Sequence, residues 1–149
     1  MQVRNLYKKS TIQLYGADLS TPIKLPFVAS GISAGFPSPA DDFLDLNIDL
    51  NKHLIKNPST TFYGRVRGDS MIDAGIHDGD LLIIDKSLNP TNNKIAVCFI
   101  DGEFTVKRIK VEKECVWLIA ENKNYKPIKV TEDNEFIIWG IVINVIKYL

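Results

Sequence analysis

The densest run of chemically capable side chains is GDSMIDAGIHDGDLLIID, residues 68–85. Ser70 follows Gly68-Asp69 and stands between a β-type run and a glycine-punctuated loop. A serine there can be presented from a tight turn. Its hydroxyl is a weak nucleophile unless a base stands close by. The sequence offers three sources of one. A Ser-His-Asp triad would draw on His77 or His53. His77 is seven residues from Ser70, in a polar loop, where a solvated histidine is the plainer reading. A metal-activated site would draw on Asp69, Asp73, Asp78, Asp80 and Asp85. Their spacing fits no EF-hand loop, and aspartates also serve turns and strand ends.

The third source is a lysine held neutral, and the run EFTVKRIKV supplies one. Strand alternation puts Thr105, Lys107, Ile109 and Val111 on one face and Phe104, Val106, Arg108 and Lys110 on the other. Lys107 is the only charge between Thr105 and Val111 on its face. A lysine among apolar neighbours loses solvation of its charged form, so its pKa falls from about 10.4 towards a useful range. The same spacing also suits a lysine that merely covers apolar surface with its stem. Spacing alone does not choose between the two.

These residues need a frame, and the chain supplies β signals from Thr60 onward. TTFYGRVRG, DLLIIDK, KIAVCFI, EFTVKRIKV, CVWLIA and EFIIWGIVINVI are short, rich in β-branched and aromatic residues, and separated by turn signals. Asp101-Gly102 predicts a tight hairpin between two of them. DLNKHLIK, residues 49–56, predicts a short helix capped by Asp49, with Leu50, Leu54 and Ile55 on one side and Asn57-Pro58 ending it. Residues 1–41 are broken by Gly16, Pro22, Pro26, Gly31, Gly35, Pro37 and Pro39 and read as an extended arm, with one short strand near Ile12-Leu14. The expected architecture is mainly β: a compact, curled antiparallel domain over 42–149, with a short helix and an extended N-terminal arm over 1–41.

Bulk properties narrow the classes. Lys+Arg and Asp+Glu are both 18 in 149 residues, so the net charge is zero, which speaks against gripping nucleic acid by bulk electrostatics. The arm holds no pair of amphipathic helices, so no helix-turn-helix reader and no sequence-specific DNA binding are expected. Cys98 and Cys115 are not a short metal-type pair, and with two histidines no zinc site or cofactor is expected; both thiols read as buried. No secretory signal is seen at the N-terminus. FIIWGIVINVIKYL, residues 136–149, is too short and too interrupted for a membrane helix and reads as buried strand. A cytoplasmic chain is expected.

GDSMIDAGI, the DGDLLIID that follows and DGEFTVKRI resemble the self-cleaving Ser-Lys peptidases shared by LexA-type repressors and UmuD-type mutagenesis proteins. AGFPSPADDF, residues 34–43, resembles the cleavage region of the UmuD type, and DLNKHLIKNPSTTFYGRVRGDSMIDAGI resembles the segment leading into its active site. The likeness runs from about Pro26 to the C-terminus. It implies Ser70 as nucleophile, Lys107 as general base and the backbone amides of Asp69 and Ser70 as oxyanion hole. It implies Ala34-Gly35 as the scissile bond. It further implies stimulation by a RecA filament on single-stranded DNA, a homodimer after trimming, and a partner of the UmuC type, a Y-family translesion DNA polymerase subunit of the SOS response. Residues 1–25 match little of the family.

The likeness gives SAGFPSP, residues 33–39, a chemical meaning. Slim Ala34 and Gly35 suit a tight site in extended form, and Pro37 and Pro39 lower the entropy lost on ordering. Without Ser70 and Lys107 the same stretch reads as a linker. Three competing expectations remain. A β-domain dimer with an inert Ser-Lys pair would only manage a polymerase. A type I signal peptidase would need a membrane anchor. A phage-type repressor would need a DNA-binding half.

Overall fold

The computed structural model describes residues 12–27, 34–36 and 46–149. They form two compact units. One comprises residues 12–18 with Asn57–Leu149, the other the described residues of Leu19–Lys56. The boundary expected at residue 41 therefore falls inside the second unit. The strands Lys24–Phe27 and Leu46–Asp49 pair across that position, while β1 (Ile12–Gly16) belongs to the main sheet.

The larger unit is an eight-stranded antiparallel sheet. Its strands are β1, β4 (Thr61–Val66), β5 (Leu81–Asp85), β6 (Ile95–Ile100), β7 (Glu103–Val111), β8 (Val116–Ile119), β9 (Ile128–Val130) and β10 (Phe136–Ile146). They lie in the order β1-β4-β5-β10-β6-β7-β8-β9. The β-type runs of the sequence are all strands; β9 is one that pattern reading missed. The β6–β7 hairpin turns at Asp101-Gly102, both at positive φ (48° and 88°), as a two-residue turn of this kind demands.

The sequence's last strand, β10, lies at the centre. It pairs with β5 on one side and β6 on the other, with register shifts between Ile138 and Gly140 and between Val142 and Asn144. Such bulges bend a strand and raise its twist. At the first of them a side chain on Gly140 would come within 2.6 Å of Ile84 Cγ2, so only glycine fits. The result is a curled sheet with apolar side chains on both faces of its middle strands. One cluster joins Ile12 and Leu14 of β1 to Val66, Leu82, Ile84, Val97, Phe104 and Val106, with Met71 and Ile76 from the loop after β4. The other gathers Ala96, Cys98, Ile109, Leu118, Val130 and Ile141. Alternation along β6 and β7 feeds both, which is why those runs read as continuously apolar.

The smaller unit holds an antiparallel ribbon of β2 (Lys24–Phe27) and β3 (Leu46–Asp49), followed by α1 (Leu50–Leu54). Asp49 caps α1 by accepting from Asn51 N–H, as its side chain and position predict. The helix ends two residues earlier than the sequence suggested, and Leu50 is exposed. Pro58 opens a 3-10 turn, Pro58–Thr60, that belongs to the larger unit.

Candidate active site

Two segments from opposite halves of the sheet meet at Ser70. The first is the turn after β4. Gly68 adopts φ 94°, a conformation that disfavours any side chain, and its N–H donates to Asp78 Oδ1 at 2.8 Å. The chain thus reverses sharply and presents half-buried Ser70 just before buried Met71. No hydrogen bond ties the amides of Asp69 and Ser70 among the described residues.

The second segment is β7. Phe104 and Val106 point into the first apolar cluster and Ile109 into the second, as strict alternation predicts. Lys107 shares the pleat face of Ile109 and is 8% exposed. Its Nζ lies 3.2 Å from Ser70 Oγ, 2.8 Å from Thr105 Oγ1 and 3.0 Å from the carbonyl oxygen of Val106. No carboxylate is among these partners. Burial therefore drives the Lys107 pKa below the usual lysine value, opposed only by neighbouring Cys98. Burial in turn pushes the Cys98 thiol up to about 12.

This arrangement separates the two readings of Lys107 that spacing left open. A lysine covering surface sends its amine to water. Here the amine is withdrawn and held by three oxygens. A neutral amine has two hydrogens and one lone pair. Val106 O and Thr105 Oγ1 can take the hydrogens, which leaves the lone pair for the hydroxyl proton of Ser70.

The other candidate bases go elsewhere. His77 Nδ1 lies 3.0 Å from Lys147 Nζ, and that lysine also pairs with Asp80. His53 sits on α1 in the smaller unit. The aspartates act as local fasteners. Asp80 accepts from His77 N–H, and Asp85 accepts from Asn57, Thr60 and Ser87, so both stay below the usual carboxylate pKa despite burial. Among the described residues no group of three or more His, Cys, Asp and Glu side chains could hold a metal ion. Cys98 is fully buried, whereas Cys115 is partly exposed at the end of the β7–β8 turn, where both thiols were expected inside.

A third contributor escaped the sequence reading. The loop Glu121–Tyr125 grips the Ser70 turn. Asn122, 6% exposed, donates from Nδ2 to the Asp69 carbonyl at 2.9 Å. Tyr125 O–H donates to Asp69 Oδ1, and Glu121 O accepts from Asp73 N–H at 2.8 Å. The Glu121 carboxylate also pairs with Arg108, next to Lys107. One loop thus holds both the serine turn and the lysine strand. The signal in the sequence was a polar Asn-rich loop, which composition alone does not distinguish from any other turn.

A cleft of about 130 Å³ opens over the pair, lined by Arg67, Gly68, Asp69, Thr105 and Tyr125 besides Ser70 and Lys107. It is narrow, which suits a slim main-chain segment. The expected scissile pair, Ala34-Gly35, lies in the smaller unit with Phe36, in an exposed bend rather than the extended form its capture would need; Pro37 and Pro39 lie outside the described residues.

An antiparallel curled sheet with a buried lysine on the serine's hydroxyl defines a class, and comparison with known proteins agrees with it. Residues 26–143 match the Peptidase S24-like family, and the chain belongs to that family. It is 42% identical over 120 residues to protein MucA of Salmonella typhimurium, covering 79% of this chain and 81% of that protein. It is 39% identical over 117 residues to protein SamA of Salmonella typhimurium strain LT2, covering 78% and 81%. A LexA repressor from Stenotrophomonas maltophilia is 36% identical over 120 residues, covering 80% of this chain and 54% of the repressor. Among the described residues no helix is long and apolar enough to cross a membrane.

Proposed function

We propose that this chain is a Ser-Lys peptidase that cuts its own Ala34-Gly35 bond. The observation that carries the reading is the 3.2 Å approach of buried Lys107 Nζ to Ser70 Oγ, with the amine's other contacts both hydrogen-bond acceptors. Neutral Lys107 takes the Ser70 proton as Oγ attacks the Ala34 carbonyl carbon. The free amides of Asp69 and Ser70 stabilise the resulting oxyanion. The tetrahedral intermediate collapses, the C–N bond breaks, and the lysine ammonium protonates the departing amine of Gly35. Water, deprotonated by Lys107, then hydrolyses the acyl ester and restores Ser70. Because substrate and catalyst are one chain, high effective molarity offsets a modest nucleophile.

The likeness to UmuD-type proteins extends the proposal. A RecA filament on single-stranded DNA would stimulate the cut. The trimmed chain, as a homodimer in the cytoplasm, would then serve a Y-family polymerase subunit in SOS mutagenesis and translesion synthesis.

Intact-mass spectrometry after incubation at mildly alkaline pH tests the chemistry, with Ser70→Ala and Lys107→Ala alongside. The expected result is a product beginning at Gly35, absent from both variants. A chain that stays whole at alkaline pH, and again with RecA, an ATP analogue and single-stranded DNA, would overturn it.

A further inference from the structure

β1 is the outermost strand of the sheet and lies on the N-terminal side of the expected cut. Its five residues pair with β4 from Ile12↔Val66 to Gly16↔Phe62. Ile12 and Leu14 are both 0% exposed and belong to the first core cluster. The recess that receives them is built into β4. A Cβ on Gly64 would lie 2.5 Å from Ile12 Cδ1 and 2.9 Å from Ile84 Cδ1, so the missing side chain of Gly64 is what admits Ile12. A recess matched to one branched side chain is more specific than a bare sheet edge.

Cutting at Ala34 breaks none of these pairings. It changes only how the strand is attached. Before the cut, the tether holds β1 at high effective concentration. Afterwards the strand competes on its own affinity. When it leaves, β4 presents unpaired N–H and C=O groups beside an apolar recess, the arrangement that accepts an added strand.

We propose that the outer edge of β4, with its Gly64 recess, is a strand-docking slot whose resident, Ile12–Gly16, becomes an exchangeable peptide after the cut. The inference rests on the proposed self-cleavage for its trigger but not for the slot itself. The slot selects extended segments with aliphatic residues at alternate positions, because Ile12 and Leu14 fill it from one face of the strand.

The test separates the two. The full chain carries Ser70→Ala and a foreign protease site inserted between Gly35 and Phe36, so that added protease makes the cut. Native mass spectrometry at micromolar concentration is expected to find the N-terminal piece still bound. A fluorescent synthetic peptide of residues 9–19 is expected to displace it, and the same peptide with Leu14→Asp to bind at least tenfold more weakly. Gly64→Val in the protein, read against an unchanged β-type circular dichroism spectrum, is expected to abolish peptide binding. Immediate loss of the piece with no peptide binding would sink the proposal. So would equal binding of the Leu14→Asp peptide, or a slot filled by a second copy of the protein.

Discussion

At the scale of single residues, the chemistry turns on an amine kept dry. Lys107 has a lowered pKa because burial penalises its charged form and no carboxylate compensates. Only the neutral amine can accept the Ser70 proton. The neutral fraction grows as pH rises through the lowered pKa, so self-cleavage should speed up with pH and level off before the range near 10.4 where an ordinary lysine titrates. Single-turnover rates by intact mass across pH check this, and a rate flat from neutral to strongly alkaline pH would contradict it. The same shift sets a stability trend. Between the lowered pKa and the ordinary one, the unfolded chain binds more protons than the folded one, so stability rises with pH in that window. Lys107→Met should remove the slope, read by denaturant unfolding at several pH values. Much of this was legible in the sequence. Alternation placed Lys107 on an apolar face, and the motif order around Ser70 suggested its partner. What alternation could not supply was the meeting of Lys107 with the Ser70 hydroxyl, since that depends on the approach of a turn 37 positions away.

At the scale of elements, the β runs announced themselves through their composition, and Asp101-Gly102 and Asp49 through turn and cap chemistry. Pairings between distant runs did not. Nothing local says that Ile12–Gly16 docks on β4, that Lys24–Phe27 meets Leu46–Asp49, or that β10 crosses to the centre, because partner choice is decided by which apolar faces are left to cover. The loop Glu121–Tyr125 was hidden for the same reason. Its Asn122 side chain orients the Asp69 carbonyl, and through it the peptide that carries the Ser70 amide. Asn122→Ala leaves that carbonyl without its protein donor, and a typical hydrogen bond of this kind contributes about 0.5–1.5 kcal/mol. The expected outcome is self-cleavage slowed by up to roughly tenfold, with the pH midpoint unchanged because Lys107 is untouched. A shifted midpoint would place the residue's influence on the lysine instead.

At the scale of the whole molecule, the sheet consists of two hydrogen-bonded halves. β1, β4 and β5 carry the Ser70 turn, while β6 to β9 carry Lys107, and β10 is the strand that pairs with both. Removing β10 should therefore disable the pair without touching either residue. A chain ending at Glu135 should show no self-cleavage at alkaline pH by intact mass, even with Ser70 and Lys107 present. Cutting by that shortened chain would show that the halves assemble through side-chain packing alone.

The central place of β10 also bears on when the proposed self-cleavage could begin. Ribosomes deliver the chain from the N-terminus, so Ala34-Gly35, Ser70 and Lys107 all emerge ahead of Phe136–Ile146. Until that final strand is released, the two halves of the sheet lack the strand that hydrogen-bonds to both. For the self-cleavage proposed above, the order of strands would act as a safety catch during synthesis: blade and target emerge together, and the strand that links the two halves of the site follows both.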